Sequence, residues 1–198
     1  MISRTEPENA TIQQETVMAD PTPDDLARWS QEQVRAAKAG LSPEVEAAIA
    51  NWGADIDEAD REAQVIARML GIKEELLLSV ESPEGATGVS AWWNPHEKVI
   101  GINGPAWKKD VGWNRLETIA HEVMHASQTL ARHDWESGWS RYAALATAAR
   151  DPSVERGSSE FWRRMWAYRH DPLEAEALAF GREYRDRRGV GLSRGLHR

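Results

Sequence analysis

Cysteine is absent from the chain, which excludes disulfides and thiolate ligands and leaves His, Asp and Glu as the side chains able to grip a transition metal. No stretch approaches the ~20 consecutive apolar residues that a membrane-spanning helix needs, so no membrane insertion is expected. The first twenty residues also lack an apolar segment of signal-peptide length, and a soluble protein without a Sec signal is the expectation. Positive charge is in deficit: 24 Lys and Arg against 32 Asp and Glu give a formal net charge of -8, which argues against general nucleic-acid binding. The exception is local, since residues 185–198 hold five Arg and one Asp and read as a solvated basic tail. Phenylalanine is scarce, two residues beside ten Trp, so the aromatic volume of a core falls on tryptophan. Trp113, Trp139, Trp162 and Trp166, with Phe161 and Met165, are expected to supply it. Trp92 and Trp93 sit side by side on an expected strand and should face opposite ways, one of them lining a cleft.

The 198 residues allow one domain of ordinary size or a domain with an appended arm. Residues 1–23 are polar and aperiodic, a flexible lead-in. A helical region follows over 24–70, with helices at 24–39, 43–52 and 58–70, the last capped by Asp57 and stopped by Gly71. Val45, Ile49 and Trp52 share one face of the second. Three short strands are expected at 76–81, 88–93 and 98–102, separated by Ser-Pro-Glu-Gly and Asn-Pro-His-Glu turns. Beyond Gly104-Pro105 the pattern is helical at 113–132, 135–150, 158–169 and 172–188. The fold class is therefore α+β, a small three-stranded sheet packed on a mainly helical domain over 71–188, with residues 189–198 as a flexible basic tail.

One helix carries chemistry. His121-Glu122-Val123-Met124-His125 places two imidazoles about 40° apart on one helix face, so that both reach a single tetrahedral ion with a carboxylate beside them. This is the H-E-x-x-H pattern of the zincins, which arises by chance in a chain of this length with a probability of about 1 per cent. An amphipathic helix alone accounts for Leu116, Ile119, Val123 and Leu130. It leaves unexplained a second stripe of Thr118, His121, His125 and Gln128, where a merely structural helix usually carries Lys, Arg or Glu.

A catalytic zinc takes three protein ligands and keeps one position open. The longer metzincin motif is excluded, because it requires Gly at 128 and His at 131, where Gln128 and Ala131 stand; His133 lies two residues too far. The segment at 169–180 offers Glu174 and Glu176, about 200° apart on a helix, so that only one can face the metal, and periodicity does not choose between them. Glu174 also suits a capping box, with Asp171 as cap and Pro172 at the first helical position.

That segment resembles the second motif of short bacterial and phage zinc peptidases of the ImmA type and of lethal-factor-type toxin domains. In those a ligand Glu is followed three residues later by Ala and after three more by an aromatic. Glu174, Ala177 and Phe180 fit; Glu176 has Ala179 but then Arg182. Gln128 after the helix motif and Asp171-Pro172 extend the resemblance, which covers about residues 76–184. It implies a zincin-like metallopeptidase with His121, His125 and Glu174 on Zn²⁺ and Glu122 as general base. The protein would be cytoplasmic or delivered by a secretion or phage-like machine as an effector or toxin.

The chemistry expected of such a site is water activation and carbonyl polarisation by the ion, with Glu122 carrying the proton. Tyr168 and His170 are the candidate oxyanion donors, since the turn before Glu174 should lie near the metal. The partner is a protein or peptide substrate, laid along residues 99–102 if that strand is an edge and not a central core strand. The alternatives are an ImmA-like regulatory protease and a non-catalytic binding or structural module. His96 and His197 are read as turn and tail residues.

Overall fold

The computed structural model describes residues 49–81, 90–130 and 135–196 and, before 49, only positions 22, 28, 43 and 47. The expected lead-in, the helix at 24–39, most of that at 43–52 and the Ser-Pro-Glu-Gly turn lie outside the described residues. Ile49 and Trp52, placed on one face by the sequence, are both buried in the core.

Helix α1 (Ile56–Met69) starts at Asp55, whose carboxylate accepts from the Asp57 N–H at 3.1 Å, so the cap is Asp55 and not Asp57. It buries Ala59, Ala63, Ile66 and Ala67, the four- and three-residue steps of one helix face, and ends at Gly71. Strands β1 (Leu77–Glu81), β2 (Ala91–Asn94) and β3 (Val99–Asn103) form one sheet in the order β1-β3-β2. β1 runs parallel to β3 with Leu77 opposite Val99, and β2 runs antiparallel to β3 with Trp92 opposite Gly101. The Asn-Pro-His-Glu segment turns β2 into β3, with the Asn94 side chain accepting from the His96 and Glu97 N–H groups.

β3 is thus the centre of the sheet, and residues 99–102 are not an edge. Both rows of their backbone groups are taken by neighbouring strands, and Ile100 and Ile102 are fully buried. The free edge on this side belongs to β2. Gly101 serves close approach: a Cβ there would lie 2.3 Å from the Trp92 indole, which lies across the strand.

Helix α2 (Gly104–Lys109) was not expected at Gly104-Pro105. Asn103 caps it, accepting from Ala106 N–H at 3.3 Å, and a proline in the first turn begins a helix as readily as it breaks one. Helix α3 (Gly112–Leu130) buries Leu116, Ile119 and Val123 against the sheet and α1. α4 (Trp135–Ala149) and α5 (Ser159–Arg169) share a second small core of Tyr142, Ala146, Ala149 and Tyr168. α6 (Pro172–Leu196) packs along α3 and runs past 188, through the segment expected as a tail. Ion pairs hold it there: Arg185 meets Glu117 of α3, and Arg188 grips the buried Glu62 of α1 at 2.7 Å. No helix among the described residues is long and apolar enough to cross a membrane.

The tryptophan assignment changes only in part, since Trp113 and Trp139 pack against the core as expected. Trp52, Trp93 and Trp107 are buried in the core, whereas Trp113, Trp139, Trp162 and Trp166 are half-buried. Their helix faces meet solvent along one side, and Trp113 lies under the Arg185 guanidinium.

Candidate metal centre

The helical spacing at 121 and 125 does what the sequence requires of it. The two rings stand edge to face with centroids 4.7 Å apart, and their Nε2 atoms are 3.1 Å from each other. Glu174 arrives from the first turn of α6. Asp171 caps that turn by accepting from the Leu173 N–H at 3.0 Å, and its other oxygen takes the Arg141 guanidinium at 2.8 Å. Gly181 sets how closely α6 approaches α3, since a Cβ there would stand 2.9 Å from the Glu117 carbonyl oxygen. About two turns upstream, Glu174 Oε2 comes to 3.4 Å from both imidazole Nε2 atoms. Cap and third corner are compatible roles, because Asp171 N–H goes to the Tyr168 carbonyl and leaves Glu174 free to turn inward.

Separations of 3.1 to 3.4 Å are what three corners of a tetrahedron require around an ion. Bonds of about 2.0 Å to imidazole nitrogen and carboxylate oxygen place neighbouring ligand atoms about 3.3 Å apart. These three residues could therefore hold a metal ion. His125 and Glu174 are almost fully buried and His121 nearly so, which shields the site from competing water.

Neighbours orient the ligands. Gln128, fully buried, accepts from the His125 Nδ1–H at 2.8 Å and donates to the Leu173 carbonyl and the Glu176 carboxylate, each at 2.9 Å. That bond fixes the tautomer in which His125 Nε2 presents its lone pair to the centre. Glu176 thereby stands outside the triangle, as Gln128's partner. Arg169 takes Glu174 Oε1 at 3.0 Å, leaving Oε2 for the centre. Burial alone would lower the His121 pKa, but the hydrogen bond to Glu174 and the charges of Glu122 and Glu174 outweigh it and raise it. Glu174 is shifted the other way: burial opposes ionisation, yet hydrogen bonds from both imidazoles and the Arg169 charge hold it far below the usual carboxylate range. Replacing Gln128 with alanine should weaken metal affinity by about 10- to 100-fold, read by competition against a chromophoric chelator; unchanged affinity would remove Gln128 from this account.

Two hydroxyls complete the centre. Tyr142 of α4 lies 3.0 Å from His125 Nε2 and 3.4 Å from Glu174 Oε2, and its oxygen is 3.3 Å from that of Tyr168. Burial first, then the surrounding negative charge, pushes both phenol pKa values up, so both are donors at neutral pH. Tyr168 therefore reaches the centre through Tyr142. His170 does not: it stacks on Trp166 at 3.9 Å and its Nδ1–H goes to the Trp166 carbonyl. Glu122 is buried among neighbours but borders a cavity of about 330 Å³ with His125, Tyr142 and β2, and no donor among the described residues engages its carboxylate. Both Trp92 and Trp93 border that cavity.

The structure thus brings His121, His125 and Glu174 together with Glu122 beside them, and leaves His170 and Glu176 aside. The sequence reading missed Tyr142 and Arg169. The Tyr142, Ala146, Ala149 face of α4 is legible as a periodic stripe, but nothing local aims it at His125. No protein-family model, curated protein or solved structure matches the chain.

Proposed function

We propose that the protein is a zinc-dependent endopeptidase of zincin type that hydrolyses peptide bonds in a protein substrate. The observation that carries this reading is the triangle of two imidazole nitrogens and one carboxylate oxygen, 3.1 to 3.4 Å on a side, with the uncommitted Glu122 carboxylate on the cavity beside it. The donor set suits zinc better than magnesium or calcium, which prefer oxygen ligands throughout. The bound ion would supply an electrophile for the scissile carbonyl and an acidified water.

The side chains divide the remaining work. Glu122 takes the proton from the attacking water and hands it to the departing amine. Tyr142, the phenol nearest the triangle, donates to the oxygen that gains negative charge, and Tyr168 braces Tyr142 from behind. The substrate backbone adds to the free edge of β2, whose Asn94 and Trp92 border the same cavity as His125. Gln128 and Arg169 hold the ligands in place throughout.

A second reading has its own observation. The Tyr142 hydroxyl stands 3.0 and 3.4 Å from two of the three corners, spacings that a fourth ligand would also have, and such a ligand would close the centre and make it structural. Tyr142→Phe separates the two. For the hydrolase, zinc affinity stays within a few-fold while turnover falls about 10²-fold. In a closed site, affinity falls and there is no turnover to lose. The reading as a whole is tested by zinc titration together with proteome-wide cleavage profiling. One equivalent of zinc and neo-termini that vanish on chelation support it; a protein that binds zinc and cleaves nothing sinks it.

A further inference from the structure

The cavity beside the triangle has a second end. One face of α4 forms its wall, from Trp139 and Tyr142 next to His125, past Ala146, to Arg150 just beyond the last turn. The Arg150 side chain turns back along this wall: its Nη2 donates to the Tyr168 hydroxyl at 3.3 Å, and its guanidinium lies 5.5 Å from the Tyr168 ring centre. Two phenol oxygens therefore separate the guanidinium from His125 Nε2, a span that a short side chain can bridge.

Its neighbours are neutralised and it is not. Arg141 holds Asp171, Arg164 holds Asp151 and Glu160, and Arg169 holds Glu174. Among the described residues no carboxylate lies within ion-pair distance of Arg150. Five N–H donors in a planar fork, with one committed to Tyr168, leave a face suited to a carboxylate. Along α4 the wall between them is aromatic or small (Trp139, Tyr142, Ala143, Ala146), while the Glu122 carboxylate borders the same cavity, so the cavity admits an aliphatic stem whose charged end lies at Arg150.

We infer that this cavity is an anion subsite in which Arg150 binds a carboxylate belonging to the residue beside the scissile bond, so that the substrate is an acidic peptide. The inference rests on the hydrolase reading above and sharpens it. The carboxylate can come from an acidic side chain within the peptide, which keeps the cleavage endopeptidic, or from a chain terminus, which would make the same hydrolase an exopeptidase. In either case Arg150 binds and orients, and takes no part in proton transfer.

Binding of hydroxamates, which chelate zinc and are not cleaved, tests this without turnover. The probes are N-acetyl-glutamyl hydroxamate against its glutaminyl isostere for the side-chain source, and hydroxamoyl-propionyl-glycine against its glycinamide for the terminal source. Affinities for the zinc-loaded full chain are read by calorimetry and by fluorescence of the tryptophans that border the cavity. The expected result is that one carboxylate probe binds about tenfold or more tightly than its neutral mate. Arg150→Gln then abolishes that preference while the neutral probe's Kd stays within about twofold, and Arg150→Lys restores part of it. Which pair shows the preference identifies the source. If both members of each pair bind alike, or the preference survives Arg150→Gln, the subsite is disproved and the hydrolase reading stands. If no hydroxamate binds a protein that retains zinc, the centre admits no external ligand, and both fall.

Discussion

Exchanging Glu122 for glutamine should leave zinc bound at one equivalent and cut turnover by about 10³- to 10⁴-fold, the contribution of a positioned proton carrier. The expectation has two parts because the residue has one role. Glu122 follows His121 directly, so its side chain leaves the helix about 100° away from the imidazole and does not join the triangle. Its carboxylate borders the cavity instead, and among the described residues no donor engages it. Glutamine keeps the shape and the burial and removes only the basicity, so the fold and the ion should not respond. Metal analysis by atomic emission, run beside kcat on a cleaved peptide, reads both parts. Zinc lost together with activity would make Glu122 a ligand; activity retained would place the base elsewhere.

Glu174→Ala should do the opposite, lowering zinc affinity by more than the ~100-fold that loss of an orienting neighbour costs, because it removes a ligand outright. The same variant alters the metal-free protein in a pH-dependent way. His121, with its pKa raised in the fold, contributes stability that is complete below its ordinary value of 6.5 and fades as pH rises through the higher folded value. Glu174, with its pKa depressed, contributes above its ordinary value of 4.5 and loses that contribution as pH falls toward the folded value. Metal-free wild type should therefore melt highest between those two ordinary values, and Glu174→Ala should flatten the maximum. A profile of melting temperature against pH in the presence of a chelator checks this. A wild-type maximum outside that window, or one unchanged by the substitution, would mean that the carboxylate and the imidazole are not coupled.

How much of this was legible in the sequence follows the range of each interaction. The pairing of His121 with His125 is a property of helix pitch, readable from five residues. Glu174 against Glu176 is not, since both flank the same stripe. What selects between them is long-range: the Gly181 approach to α3, and Gln128 engaging both Leu173 and Glu176. The three strands were placed within a few residues by turn chemistry, yet the central position of β3 depends on β1 pairing with it in parallel across the intervening β2. No local pattern records such a crossover. Tyr142 belongs to a helix whose own periodicity is plain but whose packing partner no local pattern names, and Arg150 follows that helix directly. α6 continues beyond 188 through three glycines, while Arg185 and Arg188, just before that stretch, bind partners more than sixty residues away.

The histidine helix and the glutamate helix lie against each other, while α4 and α5 form an excursion that leaves the end of one and returns at the start of the other. The residues that could hold an ion and most of those that line the cavity accordingly lie in different stretches of chain. Under the proposed hydrolase reading, substitutions along the cavity face of α4 other than at Tyr142, which touches His125 and Glu174, would alter what the cleft accepts while leaving the α3–α6 clasp its dimensions.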